Sequence, residues 1–420
     1  MPCLRALLLA TCFLVPLARG EVPGNMVKVG VLTDMSGPFS DEVGQGSVEA
    51  AKLAVADFAA ESGGLTVEIV SADHQNKPDI GSAIARRWFD QDGVTAIVDL
   101  PNSGVALAIA AIAHEHHRVA LASSSMTSDL TGKACQPTTV QWVSDTWVQG
   151  KSTTAGMVPQ GLNAWYFLTI DYALGHALES DATQALTALG GKVMGASRNP
   201  LGSTDFGTSL LAAQAAGANV LAFASTGSDL INALKQAKEF SITPKMAPAA
   251  LFVELTDVEA MGLPIAQGLE LTEAFYWDLN GATRAWSRRY GAVMDGRMPT
   301  EDQAGVYSAT LAYLRAVRDA KTVEGETVVE TMRRTPINDA LFGPVTIRPD
   351  GRATHTCIVF ASKALRKVVA STMTTPASPP FRLPMRSVRL MRAVAAWFSD
   401  TLMHCIRQLP RRWPSQQETS

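Results

Sequence analysis

The sequence predicts an α/β fold built of two lobes, each a parallel, doubly wound sheet. Three observations predict it. From residue 27 onward, short apolar runs alternate with stretches of helical spacing, the order of repeated βα units. The runs lack strict polar alternation, as strands covered by helices on both faces do. The alternation also restarts near residue 164, so one chain carries two such units. A length of 420 residues, 47% hydrophobic and 18% charged, allows two sizeable cores.

The elements follow in order. Residues 27–33 read as a strand, and 47–61 as a helix with Val48, Ala51, Val55 and Phe58 on one face. A strand over 65–71 precedes a helix over 80–89, where Ile80, Ile84 and Trp88 share a face. Strand 95–100, helix 105–113 and strand 119–123 complete the first series. The second series runs strand 164–170, helix 177–189, strand 193–197, helix 208–216, strand 220–224 and helix 231–240. A strand over 269–275 follows, then helices over 284–294, 305–319 and 328–334. Last come strands 343–347 and 354–360 about the turn Pro349-Asp350-Gly351, which predicts a two-stranded hairpin.

Charge is unevenly placed. The net charge is −3, which leaves no nucleic-acid footprint. Yet ten basic and two acidic residues lie in 361–420, against 26 basic and 37 acidic before them. The N-terminus has Arg5, an apolar run over 6–17 and the small-x-small site Ala18-Arg19-Gly20. It reads as a secretory signal peptide over 1–20, too short to span a bilayer. The chain is therefore expected to be exported, soluble and periplasmic. Of five cysteines, Cys3 and Cys12 leave with the signal, and Cys135, Cys357 and Cys405 remain, an odd number in a compartment that permits disulfides.

Motifs exclude more than they assign. Gly44-Gln45-Gly46 stands where a dinucleotide turn would, but ten residues separate it from the strand, and Asp41, Glu42 and Glu49 would repel phosphate. The chain has no G-x-x-x-x-G-K-[ST] loop, no G-x-S-x-G elbow and no H-E-x-x-H. His114-Glu115-His116-His117 is the one histidine cluster, and it reads as a polar helix C-terminus rather than a metal site. No nucleophile–base constellation, cofactor or metal is implied, and an enzyme is not expected.

Small hydroxyl and polar residues recur where the strands end. Asn102 and Ser103 follow one strand, Ser123-Ser124-Ser125 and Thr127 another, Asp171-Tyr172 a third and Ser225-Thr226 a fourth. Ligands of open α/β sheets bind outside the carboxyl ends of strands, and free helix N–H groups there suit a carboxylate.

These residues carry a resemblance. The stretches VKVGVLTDMSGPFSDEVGQGSVEAAKLAVADF, DHQNKPDIGSAIARRWFDQDGVTAI, ASSSMTSDLTGKACQPTTVQW, FLTIDYALGHALE and LFGPVTIRPDGR resemble the type I periplasmic solute-binding proteins of ABC transporters, the leucine-binding-protein-like group. The likeness runs from about Val27 to Arg352. It implies two Rossmann-like lobes joined by a three-segment hinge: 27–145 with 278–336, and 146–277 with 337–360. It implies a monomer that closes on a small carboxylate, an amino acid or an aromatic or other organic acid, and delivers it to an ABC permease. In the first lobe it implies a pocket drawing on Ser36 and Val43 of the turn and on Asn102, Ser103, Ser125 and Thr127 around the ligand carboxylate. The second lobe would add Tyr172, Ser225 or Thr226, and Phe252, and a crossover strand would bring Tyr276 and Trp277.

Two departures qualify the implication. Amino-acid-binding relatives pair the ligand ammonium with an acid of the second lobe, whereas Ala249-Ala250-Leu251-Phe252-Val253 offers none before Glu254. This favours an aryl or other organic acid over leucine. The basic segment 361–420 is unlike the family and is expected to be disordered, so the family's partner for Cys135 is left to Cys357 or Cys405. A periplasmic sensor of amides or amino acids is the alternative function of this fold.

Overall fold

The computed structural model describes residues 22–361 except 244 and 268, together with the strand Arg389–Arg392. The signal peptide over 1–20 and nearly all of the basic tail lie outside the described residues.

The first sheet holds five parallel strands in the order β2-β1-β3-β4-β5. They are β1 (Met26–Thr33), β2 (Thr66–Asp73), β3 (Ala96–Asp99), β4 (Val119–Ala122) and β5 (Thr139–Gln141). Helices α1 (Gly44–Phe58), α2 (Pro78–Asp90) and α3 (Ser103–Glu115) connect them. Each strand face has its own core. Val27, Val29 and Val31 pack with Val48, Ala51 and Phe58 of α1, while Leu32 and Ile97 pack with Trp88, Val105 and Ile109 of α2 and α3. Gly30 is required here, because a Cβ would overlap the Trp88 ring laid across the strand.

After α4 (Thr146–Met157) the second sheet repeats the plan in four parallel strands, β7-β6-β8-β9. These are β6 (Ala164–Ile170), β7 (Lys192–Asn199), β8 (Val220–Ala224) and β9 (Ala247–Ala250), connected by α5 (Ala173–Ala188), α6 (Gly207–Ala215) and α7 (Gly227–Glu239). Trp165 and Phe167 pack with Leu178 and Leu186 of α5, while Tyr166 and Leu168 face Phe206, Leu210 and Leu230. The expected two doubly wound lobes are thus present. In each, the winding reverses beside the first strand, between β1 and β3 and between β6 and β8.

The chain then runs through α8 (Leu255–Met261), α9 (Leu263–Ala266) and β10 (Glu270–Glu273), and on to α10 (Gly281–Val293), α11 (Glu301–Ala320) and α12 (Gly325–Arg334). Helix α11 is buried along most of its length and packs on α1, where Asp57 accepts from both Arg289 and Tyr307. The last strands depart from expectation. β11 (Ile337–Asp339), β12 (Gly343–Ile347) and β13 (Ala353–Thr354) form one antiparallel ribbon, and β14 (Thr356–Ala361) leaves it to pair with β10. The expected strand 354–360 is therefore broken at His355, whose Nε2 lies 2.7 Å from the Trp142 carbonyl oxygen. The ribbon lies on first-lobe elements: Gln141 N donates to the Gly351 carbonyl at 3.0 Å, and Ser308 to Asp339 at 2.6 Å. This corrects the allotment of 337–360 to the second lobe, since only β14 turns away from the first. Within the tail, β15 (Arg389–Arg392) pairs with β14, so the expected disorder does not hold for those residues.

Candidate functional site

The turn after β1 is fixed from within. The buried Asp34 carboxylate accepts from the backbone N–H groups of Gly37 (2.6 Å) and Phe39 (3.0 Å) and from Asn76 Nδ2 (2.6 Å). Its far end is tied to the start of α11, where Thr300 Oγ1 donates to the Glu42 carbonyl at 2.7 Å and Gln303 Nε2 to that of Val43 at 3.2 Å. Gly46 has no room for a Cβ beside Tyr290 and Gln303. The glycines serve this closure of turn on helix, not a pyrophosphate.

A small cavity, of about 10 Å³, gathers residues that follow the carboxyl ends of six strands. Phe39 and Glu42 follow β1, Pro101 follows β3, and Ser124 and Met126 follow β4. From the second sheet come Leu174 after β6, Thr226 after β8 and Phe252 after β9, and Asp302 enters from α11. A larger cleft of about 790 Å³ is lined by Val43, Tyr276 and Trp277 with Glu254, Glu273 and Glu301. Of the expected residues, Thr226 and Phe252 therefore line the small cavity, and Val43, Tyr276 and Trp277 the large cleft.

The others are placed differently. Ser36 is exposed and donates to Asp73 at 2.7 Å. Asn102 caps α3, accepting from Gly104 N (2.9 Å) and Val105 N (3.1 Å). Ser125 donates to Ser103 at 3.4 Å, and the Thr127 hydroxyl accepts from Asp129 N. Neither Ser125 nor Thr127 lines either of these two spaces; the chain after β4 turns Ser124 and Met126 to the small cavity instead. Tyr172 precedes α5, and burial, with Glu42 and Asp229 nearby, holds its phenol well above the usual range. Ser225 is buried with its hydroxyl unbonded.

The sequence reading missed the charge. Glu42, Glu254 and Asp302 bring carboxylate oxygens within 4.8 Å of one another, and all are buried. Both Glu254 oxygens and Asp302 Oδ1 have no hydrogen-bond partner. Burial, then the neighbouring acids, pushes all three well above the usual carboxylate range: Glu254 and Asp257 act on Glu42, Asp302 and Glu273 on Glu254, and Glu301 and Glu42 on Asp302. Burial also raises Glu273 well above that range and Asp257 to about 6. Glu254, the first acid after Phe252, thus meets two acids from distant segments, Glu42 and Asp302. The histidine cluster adds nothing: His116 caps α3, with Nε2 3.1 Å from Asp90.

Residues that follow the carboxyl ends of both sheets meet at the small cavity, beside the larger cleft. That arrangement suits a protein that binds a small solute. The family model described as periplasmic binding protein matches residues 26–366, and the chain belongs to that family. Its members are solute-binding proteins, not enzymes. A periplasmic binding protein from Burkholderia mallei is 41% identical, with a TM-score of 0.79 over 81% of this chain and 91% of that one. A branched chain amino acid ABC transporter periplasmic ligand-binding protein from Burkholderia xenovorans is 36% identical, with a TM-score of 0.70 over 80% and 90%. Among curated proteins, Leu/Ile/Val-binding protein homolog 6 of Brucella melitensis is 26% identical over 221 residues, 52% of this chain and 56% of that protein. The chain spans about half the length of the curated relatives it matches. Among the described residues no helix is long and apolar enough to cross a membrane.

Proposed function

We propose that the chain is the periplasmic solute-binding component of an ABC uptake transporter, and that it closes as a monomer on a small solute bearing a protonated amine. The observation that carries the ligand class is Glu254, a buried carboxylate from the second lobe with neither oxygen bonded, facing Glu42 and Asp302 of the first. A buried carboxylate without a partner is costly, and an ammonium supplies both charge and donors. Because the three acids come from both lobes, the solute favours the closed form through contacts that the open form lacks. An aryl carboxylate, the ligand favoured by the sequence, would add a fourth acidic group to a place where three already crowd one another.

Family membership supports the transport role, and the 36% identical relative is described as a branched chain amino acid transporter's ligand-binding protein. The contributing residues are Val43, Thr226, Phe252, Tyr276 and Trp277 of those expected, with Glu42, Ser124, Glu254 and Asp302. The test is mass spectrometry of the solute co-purified with protein from the native periplasm, followed by a thermal-shift panel. An amine-bearing solute is expected. A carboxylate lacking any amine, bound and stabilising, would refute the ligand class; retention of nothing by either method would count against uptake.

A further inference from the structure

The cleft is acidic well beyond the needs of one ammonium. Five of the residues lining the large cleft are acids, Asp41, Glu254, Glu259, Glu273 and Glu301, and the one base among them is Arg297. The small cavity adds Glu42 and Asp302 and no base. An amino acid would also need a place for its carboxylate, and of the residues expected to hold it, Asn102, Ser103, Ser125 and Thr127, none lines either cavity.

Two groups of acids line the cavities. Glu42, Glu254 and Asp302 form the first. Three acceptors at ordinary hydrogen-bond distance around a tetrahedral –NH₃⁺ stand about 4.6 Å apart, and these oxygens lie within 4.8 Å of one another. Glu273 forms the second, buried in the large cleft with Tyr276 and Trp277, whose rings suit an alkyl chain or a second cationic head, and Glu301 beside it accepts from Ser144 and Ala274 N.

Resting on the amine reading above, we infer that the solute is a cation without a carboxylate, of the diamine or polyamine class, with one amine held by Glu42, Glu254 and Asp302 and a second near Glu273 and Glu301. Opposite charge is then balanced at two points, and no anionic group enters a cleft that has one base to receive it.

The experiment is calorimetry and thermal shift on the mature protein with putrescine, spermidine, lysine, leucine, benzoate, calcium chloride and manganese chloride as probes. Putrescine or spermidine is expected to stabilise the protein and to bind at least tenfold more tightly than leucine. Glu254→Gln and Asp302→Asn are each expected to weaken diamine binding at least tenfold without lowering the melting temperature of the empty protein, which separates lost recognition from lost folding. Leucine binding with no diamine response would overturn the inference and leave the amine reading intact. Benzoate binding with no amine response would overturn both. Stabilisation by calcium or manganese alone, reversed by a chelator and without an amine response, would make the three carboxylates a metal site and overturn it too. So would the absence of any diamine response.

Discussion

Ser144 Oγ donates to Glu301 Oε1 at 2.7 Å, and the bond ties one crossing between the lobes to the first turn of α11. Ser144 lies between β5 and α4, and Glu301 opens α11. The same carboxylate accepts the N–H of Ala274, just past β10. Nearby, Arg352 donates to the Val143 carbonyl and pairs with Asp145 at 3.4 Å, bringing in the third crossing. Glu301 is therefore the point at which the crossings are held together, and it is buried. Glu301→Ala leaves the Ala274 N–H and the Ser144 hydroxyl without this acceptor. A loss of about 2–4 kcal/mol is expected in urea denaturation, at roughly 1–3 kcal/mol for each buried group left unsatisfied. A loss under about 0.5 kcal/mol would show that the crossings are held elsewhere.

With an amine as the solute, the acids of the cleft are expected to make binding depend on pH. In the empty protein Glu42, Glu254, Asp302 and Glu273 retain protons above the usual carboxylate range, and Asp257 titrates at about 6. A bound cation favours their charged forms, so binding releases protons and affinity rises with pH through this range. Binding at pH 5 is expected to be at least tenfold weaker than at pH 8. Calorimetry in two buffers of different ionisation enthalpy should reveal proton release. Equal affinity at both pH values would remove these acids from the recognition.

Much of the fold was legible because burial on both faces leaves a plain mark. The strands expected over 164–170 and 220–224 match β6 and β8 to the residue, since each is an apolar run with no solvent face to interrupt it. α4 was not legible. Its buried face is Thr146, Gln149, Gly150, Thr153 and Thr154, which lacks any hydrophobic period. It packs tightly on α5, a Cβ at Gly150 falling 2.8 Å from Ala182 N, and close approach needs small residues more than apolar ones. At the site, the hydroxyl runs at strand ends pointed to the right place, but Ser124 rather than Ser125 faces the cavity, and only the backbone decides which. Glu42, Glu254 and Asp302 come from three distant segments, and no spacing in the chain announces their meeting.

Close approach also governs the first turn of α5. A Cβ on Gly175 would overlap the Ile170 carbonyl oxygen and come within 3.2 Å of that of Ala224, both backbone atoms of central strands. No flexible side chain can yield there. Gly175→Ala is expected to cost about 1–3 kcal/mol in denaturant unfolding, the usual range for overpacking, despite the gain in helix propensity. An unchanged midpoint would mean that α5 shifts freely on its sheet.

Asp99 gives a sharper test of buried charge, because its effect has a sign. It ends β3 with φ +86°, a left-handed conformation in which asparagine, like aspartate, is enriched among residues other than glycine. Burial is the first cause that lifts its carboxyl to about 6, against the pull of its hydrogen bond from Ser124. The unfolded chain releases this proton near pH 4, so between about pH 4 and 6 the folded form holds more protons and stability falls as pH rises. At about 1.4 kcal/mol per unit, the loss by pH 8 is about 3 kcal/mol. Asp99→Asn keeps an acceptor for the Ser124 hydroxyl, tolerates the backbone and does not ionise. Its melting temperature is expected to match the parent's near pH 4 and to exceed it increasingly up to pH 8. A variant less stable than the parent at pH 8 would show that the ionised Asp99 carboxylate is held by more than this hydroxyl, and that its charge is part of what shapes the cavity wall at Ser124.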